Sequence, residues 1–113
     1  MDKNKYLDTF MLFIMGMIEK NKNKLNDSMS NNACLYHMTG LKESKEEYIK
    51  DILNGTLNYY DYEIIKFDIE KVIIRLLAKV YNSNKTWWTL IIYTKYIEEN
   101  NRIKLLESKV KLG

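Results

Sequence analysis

The sequence predicts an α+β domain in which helices from the first half cover one face of a curled antiparallel sheet built from the second half. Three observations predict it. Tyr6, Leu7, Phe10, Met11, Ile14, Met17 and Ile18 recur at i, i+1, i+4, i+5 spacing, the apolar stripe of a 3.6-residue period. Ser44, with Glu47 three residues on, is a capping box that opens a helix just before the strands. Beyond Gly55 the period changes, and four runs rich in Ile, Val, Tyr, Thr and Trp are separated by short polar turns.

The first helix spans residues 3–22. Leu12, Phe13 and Met15 widen its stripe past half the circumference, so it packs on more than one side. Gly16 either marks a close backbone approach or costs about 1 kcal/mol against Ala. Residues 20–32 carry only Leu25 and Met29 as anchors and read as a short second helix and a loop. Residues 33–37 form a brief extended piece ending at the turn 38–40. In the capped helix, Tyr48, Ile49, Ile52 and Leu53 supply the buried face, and Asn54-Gly55 stops it with a left-handed cap.

The four strands are residues 57–69, 72–81, 86–97 and 102–110, with turns at 70–71, 82–84 and 99–101. Spacing this short permits only hairpins between neighbours, which gives an antiparallel meander. In the second strand Val72, Ile74, Leu76, Ala78 and Val80 share one face, and Arg75 and Lys79 lie on the other. Leu77 and Tyr81 make that other face partly apolar, as do Trp87, Ile91, Tyr93 and Ile97 on the next strand. Trp87 and Trp88 point to opposite faces. A sheet with two apolar faces needs two covers: the helices on one side and, most simply, a second copy of the chain on the other.

Composition bounds the rest. The 113 residues make one domain, 1–113. With 46% hydrophobic and 29% charged residues, the chain is not disordered. A single cysteine, Cys34, excludes a disulfide framework and a cysteine zinc site. The net charge is +3, and of the cations only Arg75 and Arg102 are arginines, so the expected partners include no nucleic acid. Lys, Asn and Ile together supply 41 residues, and their scattered placement reads as composition bias. The apolar run at residues 10–18 is too short for a bilayer span of roughly 20 residues. Glu19-Lys20-Asn21 stands where a signal-peptide cleavage site would need small residues. No membrane is expected, and the free cysteine fits a reducing cytoplasm.

The order of elements, with local wording, resembles the nuclear transport factor 2-like superfamily. His37-Met-Thr-Gly40 followed by Ser44-Lys-Glu-Glu47 is similar to an H-x-T-G…S-K-E-E stretch of small bacterial members. Leu57-Asn-Tyr59, Thr86-Trp-Trp88-Thr-Leu90 and Tyr96-Ile-Glu-Glu-Asn-Asn-Arg-Ile103 continue the likeness over nearly the whole chain. Ile103 and Asn101 stand where the family usually has Trp and Gly, and the hairpin at 68–72 is shorter than usual; these are packing and turn positions. The resemblance implies a cone-shaped fold, a pocket between helices and concave sheet, and a homodimer through the sheet's outer face. The superfamily includes ketosteroid isomerase, scytalone dehydratase, polyketide cyclases and non-catalytic binding modules, so fold alone does not assign function.

For chemistry, the only histidine, His37, is either a general acid or base at the pocket mouth or a residue hydrogen-bonded to its own turn beside Thr39. Glu107 shares a face with Ile103 and Leu105; if that face is inward, it projects a carboxylate into the cavity. The other register turns Lys104, Leu106 and Ser108 inward and leaves Glu107 in solvent. Ketosteroid-isomerase-like chemistry needs a carboxylate base with tyrosine and acid donors. Tyr36, Tyr48, Tyr60, Tyr62 and Tyr93 are candidates with nothing to select among them, and Asp61 and Asp68 fall on opposite faces. Tyr59-Tyr60-Asp61-Tyr62 reads as a ligand cage or, more simply, as cross-strand packing. Scytalone-dehydratase-like chemistry lacks its second histidine, and no metal set, phosphate loop or nucleotide fingerprint is present.

The expected pocket comprises His37, Tyr48, Tyr60, Trp88, Leu105 and Glu107, with no cofactor. Three functions are compatible with it: binding of a small apolar ligand, an isomerase, dehydratase or cyclase using Glu107 or His37, and a structural dimerisation module.

Overall fold

The structure, a computed structural model, describes residues 3–79 and 84–113. Helices α1 (Lys3–Glu19) and α2 (Lys22–Ser28) lead into strand β1 (Met29–Tyr36), a short β2 (Lys42–Ser44) and helix α3 (Lys45–Leu53). Four long strands follow: β3 (Tyr59–Phe67), β4 (Lys71–Lys79), β5 (Lys85–Glu99) and β6 (Arg102–Leu112). They form one sheet in the order β2-β1-β6-β5-β4-β3. The predicted meander is present from β3 to β6, all antiparallel. β1 runs parallel to β6 and β2 antiparallel to β1, a return of the chain's first half to the sheet edge that local spacing does not encode. The predicted turn at 82–84 and the predicted places of Val80 and Tyr81 fall at least partly outside the described residues.

Gly16 settles as a close approach. A Cβ there would lie 2.9 Å from Leu25 Cγ and 3.0 Å from the Leu25 backbone nitrogen, so glycine lets α2 fold back against α1. The reversal uses Lys20 at φ 52, a conformation costly for a side chain. Its ammonium is put to use: it donates to the carbonyls of Ile52 and Leu57 and to Asn58 Oδ1, tying off the end of α3. The extended segment begins at Met29 rather than at residue 33, and Met29 is buried. Lys45, itself buried, holds this junction by donating to the carbonyls of Asn26 and Met29 and to Asn31 Oδ1.

The capping box forms as expected: Ser44 Oγ accepts from the Glu47 N–H, and Glu47 Oε1 accepts from the Ser44 N–H. Tyr48, Ile49 and Ile52 are buried, while Leu53, predicted to join them, is 40% exposed. Gly55 takes the left-handed cap at φ 83. At the β5–β6 hairpin, Asn100 and Asn101 both have positive φ, 52 and 63, the pair required by a tight primed turn; asparagine does here what glycine usually does.

Phe10, Phe13 and Ile14 of α1 and Leu25 of α2 meet Val72, Ile74, Leu76, Leu90, Ile92 and Leu105 in one core. Val72, Ile74 and Leu76 thus share the inner face of β4, as alternation requires. The outer face keeps Trp87, Tyr93 and Ile97 at 40% exposure each, with the Arg75 guanidinium 4.9 Å from the Trp87 ring. Among the described residues no helix is long and apolar enough to cross a membrane.

Candidate functional site

Between α1, α3 and the inner face of the sheet lies a cavity of about 410 Å³. Its apolar floor is Phe13, Met17, Leu35, Leu76, Leu90, Ile92 and Val110, and Tyr48, Tyr59 and Trp88 add aromatic wall. This size and lining are ordinary for a small-molecule pocket.

The polar end is made by the β1–β2 connection. The His37 N–H donates to the Leu41 carbonyl and the Gly40 N–H to the His37 carbonyl, each at 2.9 Å, with Gly40 at φ 87. This turn returns the chain so that Glu43 pairs with Leu35, whose side chain is in the core. Glu43 therefore points inward between exposed Lys42 and Ser44 and is only 6% exposed. There it contacts His37 directly, Nε2 to Oε1. Tyr48 of α3 lies between His37 and Phe13, with ring centroids 5.7 and 5.9 Å away, and its hydroxyl donates to Met17 Sδ at 2.9 Å.

Burial lifts the Glu43 carboxyl above the usual glutamate range. The neighbouring Asp51 carboxyl pushes in the same direction and His37 opposes it. Burial likewise drives the Tyr48 hydroxyl well above the usual tyrosine range and raises that of Tyr59 beside it. The cavity thus ends in a carboxyl pair, an imidazole and two phenols held neutral. A carboxylate that orients an imidazole leaves the ring's other nitrogen available to accept a proton.

No protein-family model matches the chain, and no curated protein does. Solved structures do. A protein of unknown function in nutrient uptake from Rhodospirillum rubrum, described as nuclear transport factor 2-like, superposes with a TM-score of 0.69 at 15% identity, over 100% of this chain and 99% of that one. A nuclear transport factor 2-like protein from Cytophaga hutchinsonii gives 0.67 at 13% identity, over 95% and 94%. The chain has the nuclear transport factor 2-like fold. The hexachlorocyclohexane dehydrochlorinase of Novosphingobium barchaimii is similar at a TM-score of 0.71 and 11% identity, over 97% of this chain and 85% of that one.

Within this nuclear transport factor 2-like fold, His37, Tyr48 and Trp88 line the cavity, and Tyr60, Leu105 and Glu107 do not. Each correction has a cause in strand geometry. Tyr59 pairs with Ala78 and Asp61 with Leu77, so Tyr60 is the extra residue of a bulge; Tyr59 takes the cavity position and Tyr60 stays 38% exposed under Lys85. Lys95 pairs with Glu107 and Tyr96 with Leu105, which makes Leu106 the extra residue of a second bulge. Beyond it the alternation inverts, and Ser108 and Val110 face the cavity. Glu107 turns outward, 3.7 Å from the Lys95 ammonium and 3.9 Å from that of Lys109. Leu105 is inward but fully enclosed in the core.

Glu43 and Asp51 are acidic cavity residues that sequence reasoning missed; Tyr59, weighed there only within a possible tyrosine cage, lines the cavity too. A usable signal was present: His37 and Glu43 flank a turn ending at Gly40, and a hairpin there sets them side by side. Among the described residues no His, Cys, Asp and Glu group is arranged to hold a metal.

Proposed function

We propose that this chain binds a small, largely apolar molecule in the cavity between helices and sheet, with His37 and Glu43 addressing a polar group on it. The observation that carries the reading is a buried carboxylate facing an apolar-aromatic cavity of ligand size. A packing role alone would favour an apolar residue at position 43, because burying a carboxyl costs several kcal/mol unless it is well partnered. The test is a thermal-shift screen of small apolar acids, amines, alcohols and ketones. A ligand at about 100 times its dissociation constant adds roughly 2.7 kcal/mol, several degrees for a domain this small. Ala78→Phe, which places a ring in the cavity, is expected to remove the shift; an equal shift in that variant places binding elsewhere.

The His37–Glu43 contact favours a second reading, proton transfer on the bound molecule, with the imidazole as base. A dehydrochlorinase of the same fold removes hydrogen chloride by name, a reaction that needs a base. Under this reading His37→Ala abolishes turnover and leaves binding; Glu107, on the far face, drops out as a candidate.

The homodimer belongs to the same proposal. On the outer face Asp61 and Glu63 stand on β3, and Lys95, Lys109 and Lys111 on β5 and β6. A twofold axis through this face sets acidic β3 of one copy against the basic strands of the other. Sedimentation at tens of micromolar is expected to give a dimer, and a monomer there removes this part.

A further inference from the structure

The charge around the polar end of the cavity narrows the ligand's chemistry, and this step rests on the binding reading above. The lining has two carboxyl groups, Glu43 and Asp51, set beside each other. It has two groups able to carry positive charge, His37 and Lys79. Lys79 is exposed, so water screens it, and one nitrogen of His37 is taken by Glu43 Oε1. Glu43 and Asp51 share a hydrogen bond with each other at the cavity wall, where a ligand can meet the pair. The adjoining walls are the rings of Tyr48, Tyr59 and Trp88, whose faces attract cations and whose bodies are apolar.

A ligand anion would add negative charge beside two carboxyl groups whose ionised forms repel each other. A neutral polar group would leave that repulsion in place. A cation relieves it and gains from the rings. We infer that the cavity takes a small hydrophobic amine, its ammonium group between Glu43 and Asp51 and its hydrocarbon part on the apolar floor. The proton balance follows. Burial and the neighbouring Asp51 carboxyl raise the proton affinity of Glu43, which favours a proton held between the two groups. The entering ammonium replaces that proton, which passes to solvent; no covalent bond forms or breaks.

The experiment is calorimetric titration of the full chain at pH 8 with primary amines of about six to ten carbons, a size the cavity admits. Each amine is matched with the alcohol and the carboxylic acid of the same skeleton. The amine is expected to bind at least about tenfold tighter than its alcohol, with the acid weakest. Its binding enthalpy should change with the buffer's ionisation enthalpy, reporting the released proton. Affinity should fall as pH drops and Glu43, whose proton affinity burial raises, takes up a proton; the other ionisable groups of the lining are Tyr36, His37, Tyr48, Asp51, Tyr59 and Lys79. Glu43→Gln and Asp51→Asn should each lose the preference for amine over alcohol. Glu107→Gln, on the outer face, should keep it, and cooperative unfolding of each variant checks that it folds. Alcohols or acids binding as tightly as amines would overturn the amine assignment and leave the binding reading standing. Heat from none of the three series would overturn both.

Discussion

Glu43 is the residue on which the site turns. A buried carboxyl whose proton affinity is raised favours the protonated form in the folded chain. Such a group contributes its stability below the unfolded glutamate pKa and loses it as pH rises through the higher folded value. Above that folded value its ionised form is a net cost to the fold, retained with His37 beside it. Glu43→Gln is therefore expected to be more stable than the parent at pH 8 and less pH-dependent above the unfolded glutamate pKa. Urea denaturation across that range measures it. A less stable variant at pH 8 would mean that the contact with His37 outweighs the desolvation. Functional residues often carry such a cost.

At the scale of elements, local chemistry was legible wherever one short stretch decides the outcome. The capping box at Ser44, the left-handed stop at Gly55 and the apolar stripe of α1 were all readable, because a few neighbouring residues suffice for each. The strands were readable as strands. Their facing was not, because one inserted residue inverts every side chain beyond it. Tyr60 and Leu106 are such residues, and no turn-type residue marks either place. β2 and the pairing of β1, of which only residues 33–37 were read as extended, escaped for a different reason: their partners are β6 and each other, and the parallel pairing with β6 joins segments about 75 residues apart, which no local pattern reports.

Gly16 offers a test at this scale. Helix propensity alone makes Gly16→Ala stabilising by about 1 kcal/mol. The contact with Leu25 Cγ and backbone reverses the sign, since α2 must move to admit a Cβ. A net loss of about 1–3 kcal/mol is expected in chemical denaturation. A gain would show that α2 can shift freely to admit the methyl group.

Over the whole molecule, the helices and the sheet each leave an apolar face, and their meeting encloses more space than their side chains fill. That is why the plan of a cavity could be expected from the order of elements while its lining could not. Three of the six expected lining residues are in it, and the acid that matters arrives on a three-residue strand. The two faces of the sheet also separate two adjacent tryptophans: Trp88 lines the cavity and Trp87 stands on the outer surface beside Arg75. The chain has only these two, so its indole N–H groups give two distinct reporters, one on each side of the sheet.

The most direct test of the central claim is a proton–nitrogen correlation spectrum of the labelled protein, titrated with a molecule that raises its melting temperature. Ligand entering the cavity is expected to move the Trp88 indole signal and leave that of Trp87 in place. Movement of Trp87 with Trp88 unchanged would put the ligand on the outer face and contradict the account.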